Sequence, residues 1–375
     1  MTKLFEPGKI GSLQLPNRLI RSATAERLAS EEGSVTPKLV ALYQELALGG
    51  VGLIISGHLY IHPQGKCHTE MTAIYEDRFI PGLQALTDAV HTAGGKVAAQ
   101  INYGGLGCST ETVETALSAS DVFSKHFNRP AHAMVEEEVL DVIQAYGKAA
   151  RRAKKAGFDA VQIHGAHGYL ISQFLSPLIN RRTDRWGGSP EKRMQFLRDV
   201  AQCVRENVGP DYPVLIKLGL MDGIEGGLSL AEGLDVLAAL PEMGIDAVEI
   251  SGGFSGEKFI NSAKGIKPGQ NEAYFHYWAE QARPRVNIPI LLVGGFRSKN
   301  VMEETLAGGS VDFISLCRPL ISEPDLPNRL KQGLQDHSIC ISGSLCYPVA
   351  TGQGIACRCK VERAPREISI NGPAH

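Results

Sequence analysis

Short apolar runs alternate with amphipathic stretches along the whole chain. RLIRSA (18–23), VGLIIS (51–56), KVAAQI (96–101), AVQI (160–163), VLIKLG (214–219) and ILLVGG (290–295) are continuous and too short for helices. That is the pattern of strands covered on both faces. A repeat adds two more. AGFDAVQIHG (156–165) is echoed by MGIDAVEISG (243–252) and, more loosely, by GGSVDFISLC (308–317). Each copy reads as a glycine-capped helix end, a tight turn and a buried strand.

Helical patterns lie between the strands. One spans Val139 to Ala156, with apolar groups at Val139, Ile143, Tyr146, Ala150 and Ala153. A second opens on Ser189-Pro190-Glu191, an N-cap, a proline at the first helical position and an acid in the first turn. Its stripe is Met194, Leu197, Ala201 and Val204. A third opens on the capping box Ser229…Glu232 and should bury Leu230, Leu234 and Leu237. Strand and helix alternating eight times predict a parallel sheet. Eight units predict closure into an α/β fold of the (β/α)8 TIM-barrel type, with an open doubly wound sheet as the competing arrangement. Residues 1–16 precede the first strand and are expected to close the barrel bottom. Residues 102–137 form an insertion after the third strand, expected to cap the active site.

Composition narrows the function classes. In 375 residues, 43% are hydrophobic, 21% are charged and the net charge is −2. Neither a basic excess for nucleic acid nor a charge block for a disordered tail is present. The first residues carry no apolar export signal and no run has the length of a membrane span. A cytoplasmic protein with reduced cysteines is expected.

The strand ends carry the candidate chemistry. His164, His167 and Tyr169 follow the fourth strand, spaced by Gly165 and Gly168. In a barrel the carboxyl ends of the strands are where catalysis occurs. Ser22, Ala23, Thr24 and Ala25 end the first strand, Gln100 and Asn102 the third, and Lys217 lies on the fifth. Gly294-Gly295-Phe296-Arg297 follows the seventh strand and Cys317-Arg318 the eighth. Glycines with free backbone N–H groups plus an arginine suit a phosphate. An amide such as Gln100 suits a heterocycle. The bland readings are packed histidines, a tight turn at GGFR and a structural ion pair at Arg318. Lys217 resists one, because an unpaired buried ammonium is costly. These features suggest a phosphorylated heterocyclic cofactor without naming it.

PNRLIRSAT (16–24), GGVGLIISG (49–57), AGFDAVQIHGAHGYLISQFLSPLINRRTDRWGGSPEKR (156–193), LLVGGFRS (291–298) and FISLCRPLISEPDLPNRL (313–330) together resemble the old yellow enzyme family of FMN-dependent barrel oxidoreductases. The resemblance spans residues 3–335. It implies FMN at the barrel mouth, NAD(P)H as co-substrate and a small-molecule substrate. By position, Ser22 to Ala25 would line the flavin, His58 would approach it, and Gln100 would bond its pyrimidine edge. Lys217 would sit near N1 and O2, and Gly294, Gly295, Cys317 and Arg318 would hold the phosphate. His164 and His167 would grip a substrate carbonyl and Tyr169 would protonate. The implied activity is ping-pong hydride transfer to an activated alkene. A dehydrogenase or demethylase on the same cofactor, and a flavin-binding barrel without turnover, remain alternatives. A homo-oligomer is possible on the same resemblance.

Some positions depart from the family pattern. Ala25 replaces a residue whose side chain bonds the flavin, Leu106 replaces an arginine, and Cys317 replaces a glycine. The resemblance divides the chain into a barrel (1–335) and a cysteine-containing extension (336–375). A subgroup including dienoyl-CoA reductase and trimethylamine dehydrogenase binds an iron–sulfur cluster there through four cysteines. Here Cys340, Cys346, Cys357 and Cys359 are present, but Gly343 stands at the second ligand position. An iron–sulfur cluster needs four thiolates, so none is expected.

Overall fold

A computed structural model describes residues 3–124, 129–254, 262–348 and 352–359. Eight parallel strands form its centre: β1 (Leu19–Arg21), β2 (Leu53–Ile55), β3 (Val97–Asn102), β4 (Ala160–Gly165), β5 (Val214–Gly219), β6 (Ala247–Ser251), β7 (Ile290–Val293) and β8 (Phe313–Leu316). They pair in chain order, and β8 returns to β1 with Ile314 beside Leu19. The sheet is closed, so the open alternative is ruled out. Around it run α1 (Pro37–Leu48), α2 (Ile80–Thr92), α3 (Glu136–Lys155), α4 (Pro190–Val208), α5 (Leu230–Ala239), α6 (His276–Ala282), α7 (Lys299–Ala307) and α8 (Leu326–Gln332).

Local chemistry sets the helix starts. Ser189 Oγ accepts from Lys192 N at 3.3 Å, with Pro190 following. Ser229 Oγ accepts from Glu232 N, while Glu232 returns a carboxylate to Ser229 N at 3.1 Å. The anticipated stripe of α4 is buried, and so are Leu234 and Leu237 of α5, whereas Leu230 is only half-buried. α3 begins one turn before Val139. Its first turn is Glu136-Glu137-Glu138, which has no apolar rhythm but suits the positive end of the helix dipole.

Side chains alternate across each strand, and the two faces differ. Outward residues such as Leu19, Ile54, Ile163, Ile216, Ile250 and Ile314 join one large core with the helices. Inward residues Ile20, Ile55, Ala98, Ala160, Leu215, Ala247, Leu291 and Phe313 form a second core inside the barrel. An antiparallel hairpin, Gly8–Ile10 with Leu13–Leu15, adds Ile10, Leu13 and Leu15 to that inner core. The first residues therefore plug the bottom, as their position predicts.

The insertion after β3 forms a substructure of its own. It contains a small sheet of Ala116–Ser118, Val122–Ser124 and Arg129–Ala133. Among the described residues, none of 102–137 lines the two cavities at the mouth. Instead it buttresses the loop after β4: Gln173 Oε1 accepts from Ser118 Oγ at 2.9 Å and from Leu106 N at 3.3 Å. Leu106 is fully buried in this contact. The mouth is overhung by the C-terminal extension. Ile355 N donates to Glu26 O at 2.7 Å, and Arg318 Nη1 donates to Ser342 O and Ser344 Oγ. Extension residues beyond 359 lie outside those described.

Candidate active site

Two residues above the inner apolar layer, the inward positions turn polar. Ser22 follows Ile20, Gln100 follows Ala98, Gln162 follows Ala160, Lys217 follows Leu215, Glu249 follows Ala247 and Ser315 follows Phe313. These side chains form a buried chain of contacts. Gln100 Nε2 donates to Gln162 Oε1 at 2.7 Å, and Gln162 Nε2 donates to Glu249 Oε2 at 3.0 Å. Lys217 Nζ reaches Glu249 Oε2 at 3.1 Å and donates to Ser22 Oγ at 2.7 Å. Lys217 is 3% exposed and Glu249 0%. Lys217 therefore already has an anionic partner, which offsets the desolvation of both charges.

Above this layer lie two cavities that meet at Ala23 and His167. The first, of about 660 Å³, is lined by Ser22, Lys217, Gly295, Ser315, Cys317 and Arg318 among others. Gly295 has φ 77, and a Cβ there would lie 2.9 Å from the Tyr274 ring. Only glycine suits that turn without strain. Gly294 precedes it and accepts from Tyr274 N at 3.1 Å. Thr24 Oγ1 donates to Cys317 Sγ at 3.2 Å. Arg297 of the GGFR motif faces elsewhere: it donates to Ile266 O and Ser338 O, tying down a loop and the extension.

The second cavity, of about 370 Å³, is lined by Ala23, Thr24, Ala25, His58, Gln100, His164, His167, Tyr169 and Tyr347. Ring centroids of His164 and His167 are 5.3 Å apart, and those of His164 and Tyr169 are 4.9 Å apart. His167 Nε2 lies 2.8 Å from Ser251 Oγ, and His58 Nδ1 lies 3.0 Å from Asn102 Nδ2. Burial, reinforced by the Lys217 charge and His58, lowers His167 to about 3. His164 is pushed well below its ordinary value by burial, then by His167, His58 and Lys217. Burial and Arg27 lower His58 to about 4. The imidazoles are thus neutral N–H donors at pH 7. Burial, then Cys67 and Tyr347, holds the Tyr169 phenol well above its usual range, so it keeps its proton.

This fold and mouth have matches. A profile of the NADH:flavin oxidoreductase / NADH oxidase family aligns with residues 3–337. The chain belongs to that family. It is 35% identical to an NADH oxidase of Thermoanaerobacter brockii over 364 residues, covering 96% of this chain and 55% of that one. It is 34% identical to an NADPH dehydrogenase of Bacillus licheniformis over 326 residues, covering 87% of this chain and 93% of that one. A solved structure of the old yellow enzyme homologue from Zymomonas mobilis superposes with a TM-score of 0.77 at 25% identity, covering 90% of this chain and 95% of that one. The chain spans about half the length of the NADH oxidase. The family is one of FMN-binding barrels, so FMN is the group to test against this mouth.

The residues present fit that group. In the first cavity Ser315 Oγ is buried without a partner, beside Gly295 and the Arg318 cation. Lys217 and Gln100 present a cation and an amide where a heterocycle would lie between the cavities. Cys340, Cys346, Cys357 and Cys359 are free thiols, and a Cβ on Gly343 would stand 3.1 Å from Cys359 Sγ. Among the described residues no group of three or more His, Cys, Asp or Glu is arranged to hold a metal ion. Nor is any described helix long and apolar enough to cross a membrane.

Ten of the eleven expected cofactor residues and the three expected catalytic ones line the two cavities, whereas Gly294 lines neither and Arg318 also engages protein groups. Sequence reasoning missed Gln162, Glu249, Ser251, Arg27 and Tyr347. The first two had a signal: a Gln in AVQI and a Glu in AVEI, each in the middle of a buried strand. Tyr347 had none, since its approach depends on how the extension folds back.

Proposed function

We propose that this chain is an NAD(P)H-dependent ene reductase working by a ping-pong cycle in the cytoplasm, where its thiols stay reduced. The convergence of His164, His167 and Tyr169 on one chamber carries this reading. FMN, when bound, would supply the hydride chemistry, two electrons from NAD(P)H reaching the β-carbon of an activated alkene. His164 and His167 donate N–H groups to the substrate carbonyl, where negative charge builds in the transition state. Tyr169 then gives its proton to the α-carbon and recovers it from water. A phenol with so high an affinity for its proton serves here because the carbanion is a stronger base. Lys217 and Gln100 would hold the heterocycle, and Arg318 with the Gly294–Gly295 turn would hold the phosphate.

Half-reactions test the assignment. Tyr169→Phe should slow alkene reduction by about 100-fold or more, while reduction by NAD(P)H stays within about twofold. Stopped-flow absorbance separates the two. Equal losses in both halves remove Tyr169 as the proton donor. The double variant His164→Ala/His167→Ala should abolish the long-wavelength charge-transfer band that a phenol gives over the oxidised flavin.

A further inference from the structure

We propose that Arg27, with Tyr347 of the C-terminal extension, forms an anion subsite at the rim of the substrate chamber, selecting activated alkenes that bear a carboxylate. The inference rests on the ene-reductase reading and adds a substrate class to it.

Arg27 follows the strand-one segment that lines the chamber. Its backbone has φ 50, a left-handed conformation that costs energy for any residue with a Cβ. Two flanking contacts impose it. Ile355 N donates to Glu26 O at 2.7 Å, and Gly354 packs so closely on Leu28 that a Cβ there would lie 2.2 Å from Leu28 Cδ2. The extension thus clamps residues 26–28 and fixes where the guanidinium goes. That group lies 5.5 Å from the centroid of the Tyr347 ring, itself a wall of the chamber. Its charge is felt at His58, His68 and Tyr169.

Among the described residues, no carboxylate pairs with this cation. Arg27 Nε is buried with no hydrogen-bond partner. Glu26 is engaged by Arg21, Tyr43 and the Gly57 N–H, and Glu70 Oε1 by the Gly352 N–H, while Glu70 Oε2 is buried without a partner. A second orphan lies beside it. His68 is 8% exposed, and both of its ring nitrogens are buried without a partner. Its ring stands 5.7 Å from that of His58, a chamber wall. Burial, then His58, Arg27 and Lys66, lowers it to about 2, so it is neutral. Unpartnered buried donors are costly unless a ligand completes them. An arginine fork takes a carboxylate through two parallel N–H bonds. An alkene held at His164 and His167 by its activating carbonyl would direct a distal carboxylate toward this rim.

A phosphate of the nicotinamide nucleotide is the other anion that reaches the mouth. The test therefore has two arms, both on the FMN-loaded enzyme. In the first, 4-hydroxybenzoate and its neutral analogue 4-hydroxybenzamide are titrated against the oxidised protein and followed by the charge-transfer band. Arg27→Gln should weaken 4-hydroxybenzoate by about tenfold or more and 4-hydroxybenzamide by less than about twofold, and Arg27→Lys should recover part of the loss. In the second, the Kd of NADH and NADPH is taken from the rate of anaerobic flavin reduction. It should shift by less than about twofold. Equal effects on the two phenols, or on neither, overturn the subsite. A loss confined to the nucleotides overturns the carboxylate assignment. A wild-type holoenzyme that gives no band with either phenol overturns the ene-reductase reading as well, so the two failures are distinct. Unchanged flavin absorbance and thermal midpoint in each variant exclude misfolding.

Discussion

Glu249 decides what kind of cation Lys217 is. With no carboxylate beside it, an ammonium at the mouth would attract any anion that entered. With Glu249 at 3.1 Å, the ammonium is already paired, and its direction is set by Ser22. The second carboxylate oxygen, Oε1, is buried without a partner, so Glu249 also places negative charge under the site. Removing that charge should favour an anionic reduced flavin. Glu249→Gln keeps the shape and the contact with Gln162. We expect it to raise the reduction potential of the bound flavin by about 30 mV or more, equivalent to about 1.4 kcal/mol for two electrons. Spectroelectrochemical titration of both proteins checks this; a potential that is unchanged or lower would show that Lys217 and Glu249 act only as a packed pair.

Elements, rather than single side chains, place this chemistry at one end of the barrel. The hairpin of Gly8–Ile10 and Leu13–Leu15 seals the bottom with apolar side chains. Ile10 is fully buried there. Ile10→Ala should cost about 2–4 kcal/mol in denaturant unfolding while leaving the flavin spectrum unchanged, since the cavity opens far from the mouth. A spectrum that changes would mean the plug communicates with the site. The start of α5 is set by the reciprocal Ser229–Glu232 cap, and Glu232 also holds Arg193 of α4 at 2.5 Å. Ser229→Ala should therefore cost about 1 kcal/mol, read from the same unfolding curves.

At the scale of the whole molecule, burying three neutral histidines around one chamber couples stability to pH. Each has a folded pKa below its ordinary value of 6.5, with His58 at about 4 and His167 at about 3. Above 6.5 both folded and unfolded chains hold them neutral, and the coupling vanishes. Below it the unfolded chain takes up protons that the folded one refuses, so stability falls until the folded values are reached. The thermal midpoint should drop steadily from pH 6.5 to pH 4, more steeply than in His58→Gln or His167→Gln. A midpoint that is flat across that window, or slopes unaltered by the variants, would show that other groups dominate acid unfolding. The extension belongs to this scale too. It turns Tyr347 and the backbone near Gly354 back onto the strand-one loop, so the mouth is completed by residues more than three hundred positions from the first strand.

Strand and helix order, barrel closure and the mouth position of His164, His167, Tyr169, Gln100 and Lys217 were all legible in the amino-acid sequence. They rest on local rules: apolar runs bounded by glycine turns, capping residues, and chemistry at strand carboxyl ends. The partners of those residues required the tertiary structure. Glu249 meets Lys217 because adjacent parallel strands align in register, and Gln162 bridges to Gln100 because β3 and β4 do the same. The insertion supports the segment after β4 through Gln173, and the extension adds Tyr347 to the rim. Sequence spacing fixes which side chains can share a strand face, because alternation is a property of the backbone. It does not say which distant segment will cover that face, because that depends on packing between elements that are far apart in the chain.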